Sequence, residues 1–386
     1  MFHMDNTSFH IPSTFFLIGF PGLEDVRIWT SIIFCTLYIL TILGNSSITY
    51  IICTEKSLHG PMYFFLAMLA VNDLALPSST VPKMLEIFWR NDGRIDASAC
   101  LVQMFFVHFL SVVESGILIA MAYDRYIAIC SPLRYSSILT YTALKRIAAS
   151  ILIRAFIFVL PIPITVGWLR YCGKDVVLHL YCEHIAVVEI MCGDTQLTGL
   201  YGFVVALFLA SLDLLLIVLS YVMILRVVYK MPSQDARQKT TETCGSHVCV
   251  IIIIYSSAFF SFVTYTFGKS DVTRTAHIFL ANTYILFPAF CNPIIYGVRT
   301  KPIRERVRKI MCQSKKRPRN KEDRVQMGPR SKLLSGLVSS RWPLDGRFPN
   351  LLLSEIPNDD FATVQLRKRR AGDTGRKTQK NQKYKL

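Results

Sequence analysis

Seven stretches of the chain are mostly apolar, at about 28–53, 61–85, 99–130, 144–168, 199–228, 239–265 and 275–298. A helix rises 1.5 Å per residue and must cross about 30 Å of hydrocarbon, so about 20 mostly apolar residues make one crossing and each stretch suffices. The ten-residue in–out alternation of a membrane barrel is missing, and only helices and closed barrels satisfy their backbones in lipid. The pattern therefore predicts seven membrane-spanning helices, and an odd number of crossings places the two termini on opposite sides. Polar sequence flanks the bundle as residues 1–27, a short segment 299–312 and a long tail 313–386.

Charge orients the bundle. The formal net charge is +17, and residues 299–386 hold 25 Lys and Arg against 8 Asp and Glu, while the rest of the chain balances at 18 of each. Basic residues near span ends favour the cytoplasm, and Glu24 and Asp25 outweigh Arg27 before the first span, so the amino terminus is expected outside and the basic tail inside. Residues 1–27 lack the pattern of a cleavable signal peptide, which leaves the first span to direct insertion. Asn6-Thr7-Ser8 is the glycosylation acceptor on the outer side, whereas the matching Asn45-Ser46-Ser47 falls inside the first span.

In Thr300–Ile310, Ile303, Val307 and Ile310 share one face with Arg and Lys around them, which predicts an amphipathic helix lying on the membrane surface. Cys312 follows as a candidate acylation site. Residues 313–386 mix Lys, Arg, Gln, Pro and Gly with little periodicity and read as disordered. The clusters Lys315–Arg319 and Arg367–Arg370 there admit three roles: binding anionic membrane lipid, acting as a retention signal, or none, as part of a solvated, dispensable tail. Nothing in the pattern points to nucleic acid.

Cys100 opens the third span, and the loop before the fifth carries Cys172, Cys182 and Cys192. Four cysteines in an oxidising compartment allow two disulfides in three connectivities. The other seven, Cys35, Cys53, Cys130, Cys244, Cys249, Cys291 and Cys312, lie in spans or on the inner side and read as packing thiols.

Charge inside apolar helices costs roughly 2.5–3.5 kcal/mol per residue at mid-bilayer depth, so each such residue calls for a function or a partner. Asp124 and Arg125 end the third span in MAYDRYIAIC, where an isolated pair would simply anchor a helix end. Asp73 and Glu114 lie deep in the second and third spans; Glu114 is 11 residues from Arg125, about 16 Å along the helix, and so does not belong to the inner pair.

Together the motifs resemble the olfactory receptors of the rhodopsin-like, seven-helix, G-protein-coupled class. They are LxGxPG at Leu17–Gly22, Gly44-Asn45, PMYFFLAMLAVNDL at Pro61–Leu74, MAYDRYIAICSPLRY at Met121–Tyr135, Ser220-Tyr221, KTTETCGSH at Lys239–His247 and NPIIYGVRT at Asn292–Thr300. The CGSHVCVI and GVRTKPIRERV stretches resemble the class I, fish-like branch. The resemblance implies an all-α membrane protein, a seven-helix bundle at the plasma membrane with its amino terminus extracellular. Its partners would be a small odorant and a heterotrimeric stimulatory G protein that raises cAMP; it would be a transducer, not an enzyme.

The resemblance also implies site residues. Asp124, Arg125 and Tyr126 would form the releasable inner lock, with Tyr221, His247, Asn292 and Tyr296 rearranging around it. Asp73, Glu114, Ser115 and Asn292 would hold a sodium ion as an allosteric modulator, no other cofactor being implied; the alternative is one protonated, hydrogen-bonded acid. The disulfides would be Cys100–Cys182 and Cys172–Cys192.

The ligand pocket would be lined by Phe105, His108, Ser111 and Val112 of the third span, His184 of the long outer loop, Val205 and Ala206 of the fifth span, and Ala258, Phe262 and Thr266 of the sixth. Counting from Cys100, His108 lies about 12 Å down the helix, a depth that suits a pocket floor. In class I receptors, carboxylic acids are associated with an Arg in a Tyr-Arg-Phe-Gly-like stretch. Here it reads Tyr265-Thr266-Phe267-Gly268, so the bidentate partner of a carboxylate is absent and neutral odorants become equally good candidates. Two other readings compete: a chemosensory receptor for a small metabolite outside olfaction, and an ion-coupled transporter relaying through Asp73, Glu114 and Asp213. Seven spans without an internal repeat argue against the transporter.

Overall fold

A computed structural model of the chain describes residues 13–20, 27–171, 173–192, 195–267 and 271–316. Asn6, Cys172 and the tail from 317 onward lie outside these residues, as do the expectations of glycosylation and tail disorder. Helices dominate and seven spans are long and apolar enough to cross a membrane. They are α1 (Arg27–Thr54), α2 with α3 (Pro61–Ser78, Val81–Arg90), α4 (Ala97–Cys130), α6 with α7 (Tyr141–Val159, Pro161–Gly167), α9 (Thr195–Tyr229), α10 (Gln234–Phe267) and α11 (Asp271–Arg299). Between them α5 (Tyr135–Ile138) forms an inner turn, α8 (His184–Val188) lies in the long outer loop, and α12 (Lys301–Lys316) follows the last span.

Two spans expected as single helices are broken. Proline explains both breaks, because it lacks an amide donor and its ring clashes with the preceding turn. Pro77 closes α2 and Pro82 opens α3, while Pro161 restarts the fourth span as α7. The second span also runs to Arg90, beyond the expected limit near 85.

The outer end is tied down by a small sheet of order β2-β1-β4, built from β1 (Thr14–Leu17), β2 (Arg94–Asp96) and β4 (Val176–Val177). Strand β1 runs antiparallel to β2, with Phe15 opposite Ile95, and parallel to β4, with Leu17 opposite Val177. Alternation sends Phe15 and Leu17 inward, where both are buried against Phe88, Met104 and Leu180. Strands β3 (Arg170–Tyr171) and β5 (Met191–Cys192) pair antiparallel within the long outer loop.

The core divides by depth. An inner cluster joins Ile48, Leu66, Leu69, Ile117, Met121, Val250 and Tyr296, and an outer one joins Phe15, Phe88, Met104, Leu180 and Val187. Ile303 of α12 is fully buried in the inner cluster and Val307 packs against it, while Arg306 pairs with Glu55 at 3.0 Å. The apolar face expected from the spacing thus holds α12 against the bundle.

Close contact between α1 and α11 needs a residue without a side chain. A Cβ on Gly44 would lie 2.8 Å from Cγ of Pro293. Next to it, Asn45 Nδ2 donates to the carbonyls of Thr41 and Ala289 at 3.1 and 2.9 Å, which satisfies a buried amide inside hydrocarbon.

Cys100 is bonded to Cys182, and Cys192 is also disulfide-bonded. Gln103 reinforces the first link: its Nε2 donates to the Ser79 carbonyl at 2.8 Å and its Oε1 accepts the Cys182 amide at 2.9 Å. One side chain therefore joins the α2–α3 break, α4 and the outer loop. Gln103→Leu should leave a buried amide and carbonyl unpaired and cost about 1–3 kcal/mol for each orphaned group. The expected outcome is a melting temperature several degrees lower in thermal unfolding of the detergent-solubilised protein, and an unchanged value would remove this role.

Candidate ligand pocket and inner arginine clasp

At the inner end of α4, Asp124 is fully buried and divides its two oxygens. Oδ2 accepts Arg125 Nε at 3.0 Å and Nη2 at 2.6 Å. Oδ1 accepts the hydroxyl of Tyr135 at 2.7 Å. A guanidinium–carboxylate pair out of water is strong yet has two available states, bound and released.

Around this clasp, Tyr221 Oη and His247 Nδ1 share a 2.7 Å hydrogen bond between α9 and α10. Tyr126 packs on the cluster of Ile224, Val228 and Cys244. The buried Tyr296 hydroxyl has no partner and lies within electrostatic reach of Tyr221, Asp73 and Arg125. All the residues expected at the inner lock are thus gathered at one end, except Asn292, which sits one layer higher.

In that middle layer Asn292 Nδ2 donates to Asp73 Oδ2 at 2.9 Å, and Glu114 is near enough for its charge to be felt at Asp73. All three are buried, and Asn292 Oδ1 is a buried oxygen without a partner. Two carboxylates and an unused amide oxygen fit a hard monovalent cation. Ser115 departs from expectation. Its hydroxyl donates to the Val112 carbonyl at 2.9 Å and accepts Arg154 Nη2 at 3.1 Å, so it belongs to a different network.

That network centres on a buried ion pair between the fourth and fifth spans. Arg154 Nη1 lies 2.5 Å from Asp213 Oδ1 and Nη2 lies 3.0 Å from Oδ2. Nη2 also reaches the Val112 carbonyl at 3.2 Å. Asp213 is fully buried, and the two-pronged contact joins α4, α6 and α9. In the sequence Asp213 reads only as an ion-relay candidate, and Arg154 does not stand out. The available signal is a cation and an anion, Arg154 and Asp213, each set mid-span among apolar neighbours.

The two histidines expected at the ligand site meet between α8 and α4. The rings of His108 and His184 stand edge-to-face with centroids 6.2 Å apart, and the Nε2 atoms of both are buried without a partner. Gly202 of α9 lets the loop approach this closely, since a Cβ there would fall 2.5 Å from Cε1 of His184. Glu183 caps α8, its Oε2 accepting the Ala186 amide at 2.8 Å, and burial pushes its carboxyl up to about 7. Burial, with a further contribution from His108, pulls His184 down to about 3, so it presents a neutral ring at physiological pH.

The remaining lining residues separate into two groups. Ser111 donates to the Val107 carbonyl at 2.8 Å, Val205 is buried, Ala258 is half-buried and Phe262 stacks on Phe203 at 5.6 Å. Phe105 is engaged by Phe109 at 5.3 Å and by Phe156 of the fourth span at 6.1 Å. Val112 packs against the inner cluster and offers its carbonyl to Arg154. Ala206 lies on the exposed face of α9 beside Leu207 and Phe208, so it does not join Val205 in the buried lining; consecutive helix positions differ by about 100°. The side chain of Thr266 lies outside the described residues.

Breaking the Arg154–Asp213 pair from one side should be costlier than removing it whole. Arg154→Leu leaves a buried carboxylate unpaired and is expected to destabilise by about 3–5 kcal/mol, whereas Arg154→Leu with Asp213→Leu should recover most of that loss. Thermal stability of the two single variants and the double variant in detergent checks this; additive losses would show that the two residues act independently.

A family profile described as Olfactory receptor matches residues 34–314. The chain is 50% identical over 299 residues to Olfactory receptor 52P1 of Homo sapiens, covering 78% of this chain and 93% of the relative. It is 47% identical over 302 residues to human Olfactory receptor 52D1, covering 78% and 95%, and 48% identical over 307 residues to human Olfactory receptor 52B2, covering 80% and 94%. With its seven spans, disulfide-held outer loop and profile match over most of its length, the chain belongs to the olfactory receptor family and is a multi-pass plasma-membrane receptor rather than an enzyme.

Proposed function

We propose that the chain binds a small volatile ligand between His108, His184 and the apolar walls of α9 and α10, and that binding releases Arg125 to activate a stimulatory G protein and raise cAMP. The observation that carries the ligand half of this reading is the pair of buried Nε2 atoms without partners. Leaving a buried polar atom unpaired is costly, and a ligand that satisfies it recovers that cost on binding. A neutral His184 offers one donor or acceptor and no net charge, and position 266 carries Thr rather than Arg. The expected ligand is therefore a neutral molecule with an oxygen head, such as an alcohol, aldehyde or ketone, on an apolar body.

The clasp supports the signalling half, because it places a releasable cation at the inner face. Asp73, Glu114 and Asn292 would hold a sodium ion, which would neutralise adjoining carboxylates in the resting bundle. A transporter reading is weakened by Arg154, which occupies both oxygens of Asp213 and removes one of the three acids such a relay would use.

Cells expressing the full chain with a cAMP reporter should respond to members of a panel of neutral oxygenated odorants more strongly than to the corresponding short acids. His108→Ala or His184→Ala should weaken agonist potency about tenfold, the equivalent of 1.4 kcal/mol. Arg125→Ala should abolish the response at equal surface expression. Acid-selective responses untouched by either histidine substitution would overturn the pocket assignment.

A further inference from the structure

His179 stands in the outer loop three residues before Cys182 and belongs neither to the His108–His184 pair nor to the clasp. Its ring is almost wholly buried, with 1% of its surface exposed. It meets the Tyr181 ring edge-on with centroids 4.3 Å apart and the His277 ring of α11 at 5.9 Å. Nδ1 accepts the Tyr181 amide at 3.4 Å, so in the neutral ring the proton sits on Nε2 and makes that atom a donor. Burial, with a further contribution from His277, pulls the imidazole down to about 3, and the ring is therefore neutral at physiological pH. Nε2 is buried and has no acceptor among the described residues. An unmet donor at this depth carries a cost that a group with a lone pair would remove.

We propose that His179 is a second ligand contact: its Nε2–H donates to an oxygen other than the one met by His108 and His184, so the receptor favours neutral molecules with two carbonyl or ether oxygens over those with one. The proposal rests on the reading that the ligand lodges against those two histidines. Chain topology sets the donor beside them. Tyr181 is clustered with Val107 and Leu110 of α4, Leu76 of α2 and Ala281 and Ile285 of α11. Val107 and His108 are consecutive on α4 and differ by about 100° in direction, so Tyr181 with His179 occupies one flank of this turn and His184 the next. Cys182, bonded to Cys100, lies between the two histidines in the loop and anchors both to α4. The tautomer fixes the chemistry, because a lone N–H selects an oxygen that accepts. Apolar side chains around Tyr181 suit a hydrocarbon spacer between the two oxygens. His277 Nδ1 donates to the Ser261 carbonyl of α10 at 3.1 Å, so a ligand oxygen seated at His179 lies next to a link between α10 and α11.

The probes are straight-chain methyl diketones with two to six methylenes between the carbonyls, each compared with the monoketone of equal length. In cells carrying the full-length receptor and a cAMP reporter, at least one diketone should be about tenfold more potent than its monoketone. His179→Phe keeps a ring and removes the donor; it should erase that preference and leave monoketone potency at its wild-type value, which loss of a merely structural residue would not spare. His179→Gln, whose amide keeps an N–H near the position of Nε2, should retain the preference. If His179→Phe fails to reach the surface, His179→Met takes its place, since it too offers no donor. Thermal stabilisation of the purified receptor by the same probes reads binding without a G protein. If diketones stabilise more than monoketones and His179→Phe removes the difference, while His184→Ala alters the binding of neither class, the contact at His179 stands and the reading of the histidine pair fails. If no diketone outperforms its monoketone in either assay, or His179→Phe lowers both classes by the same factor or leaves both unchanged, the proposal is overturned.

Discussion

Hydrocarbon offers no hydrogen bonds, and the architecture follows from the need to pair every polar group carried into it. Asn45 of α1 donates to the Ala289 carbonyl of α11. Asp73 of α2 accepts Asn292 of α11. Arg154 of α6 joins Asp213 of α9 to Val112 and Ser115 of α4. Each tie spends a polar residue, and each fixes one span relative to others that are distant in sequence. Apolar packing alone gives weak specificity in lipid, because lipid tails are as apolar as leucine. The polar ties therefore select which helices meet and at what depth.

These ties are not spread evenly. The first five spans and the seventh are linked by buried polar contacts or by the disulfide, whereas α10 is joined to α9 through Tyr221–His247 and to α11, along which it chiefly packs, through His277 Nδ1 and the Ser261 carbonyl at 3.1 Å. Each of these two ties is a single hydrogen bond. The Tyr221–His247 bond lies one layer from the Arg125 clasp, so motion of α10 and release of the arginine perturb the same small volume. Two discrete arrangements of one packed cluster are the physical requirement for a switch.

Much of this was legible in the chain. The seven crossings follow from apolar length alone, and the face of α12 follows from the spacing of Ile303 and Val307. The helix breaks were written in Pro77, Pro82, Pro161 and Pro163, yet a proline kinks, breaks or merely bends a helix depending on neighbours that sequence does not reveal. The exchange of Ser115 from the acid layer to Arg154, and the separation of Ala206 from Val205, turn on helix rotation. An error of one residue in phase is about 100°, enough to move a side chain from the lining to the lipid face. Arg154–Asp213 spans 59 positions, and only packing determines that they meet. Tyr135 was visible as the last letter of a motif, but its hydroxyl bond depends on a loop that folds back on its own helix.

The proposed ligand contacts and the clasp share one helix. From His108 to Arg125 is 17 residues of α4, about 25 Å of continuous rod. A rod of this kind transmits displacement but offers no choice between states, so ligand contact with α4 alone shifts nothing: a ligand changes an equilibrium only by binding one state better than the other. Discrimination must come from elements whose distance to α4 differs between states. The loop carrying His184 is fixed to α4 by Cys100–Cys182 and Gln103, which makes it part of the same rigid body. The walls from α10, Ala258 and Phe262, are not fixed in this way. A ligand that bridges the histidines to the α10 wall therefore senses the separation between a static half and a movable half, and that separation is also what governs the space around Arg125 at the inner end.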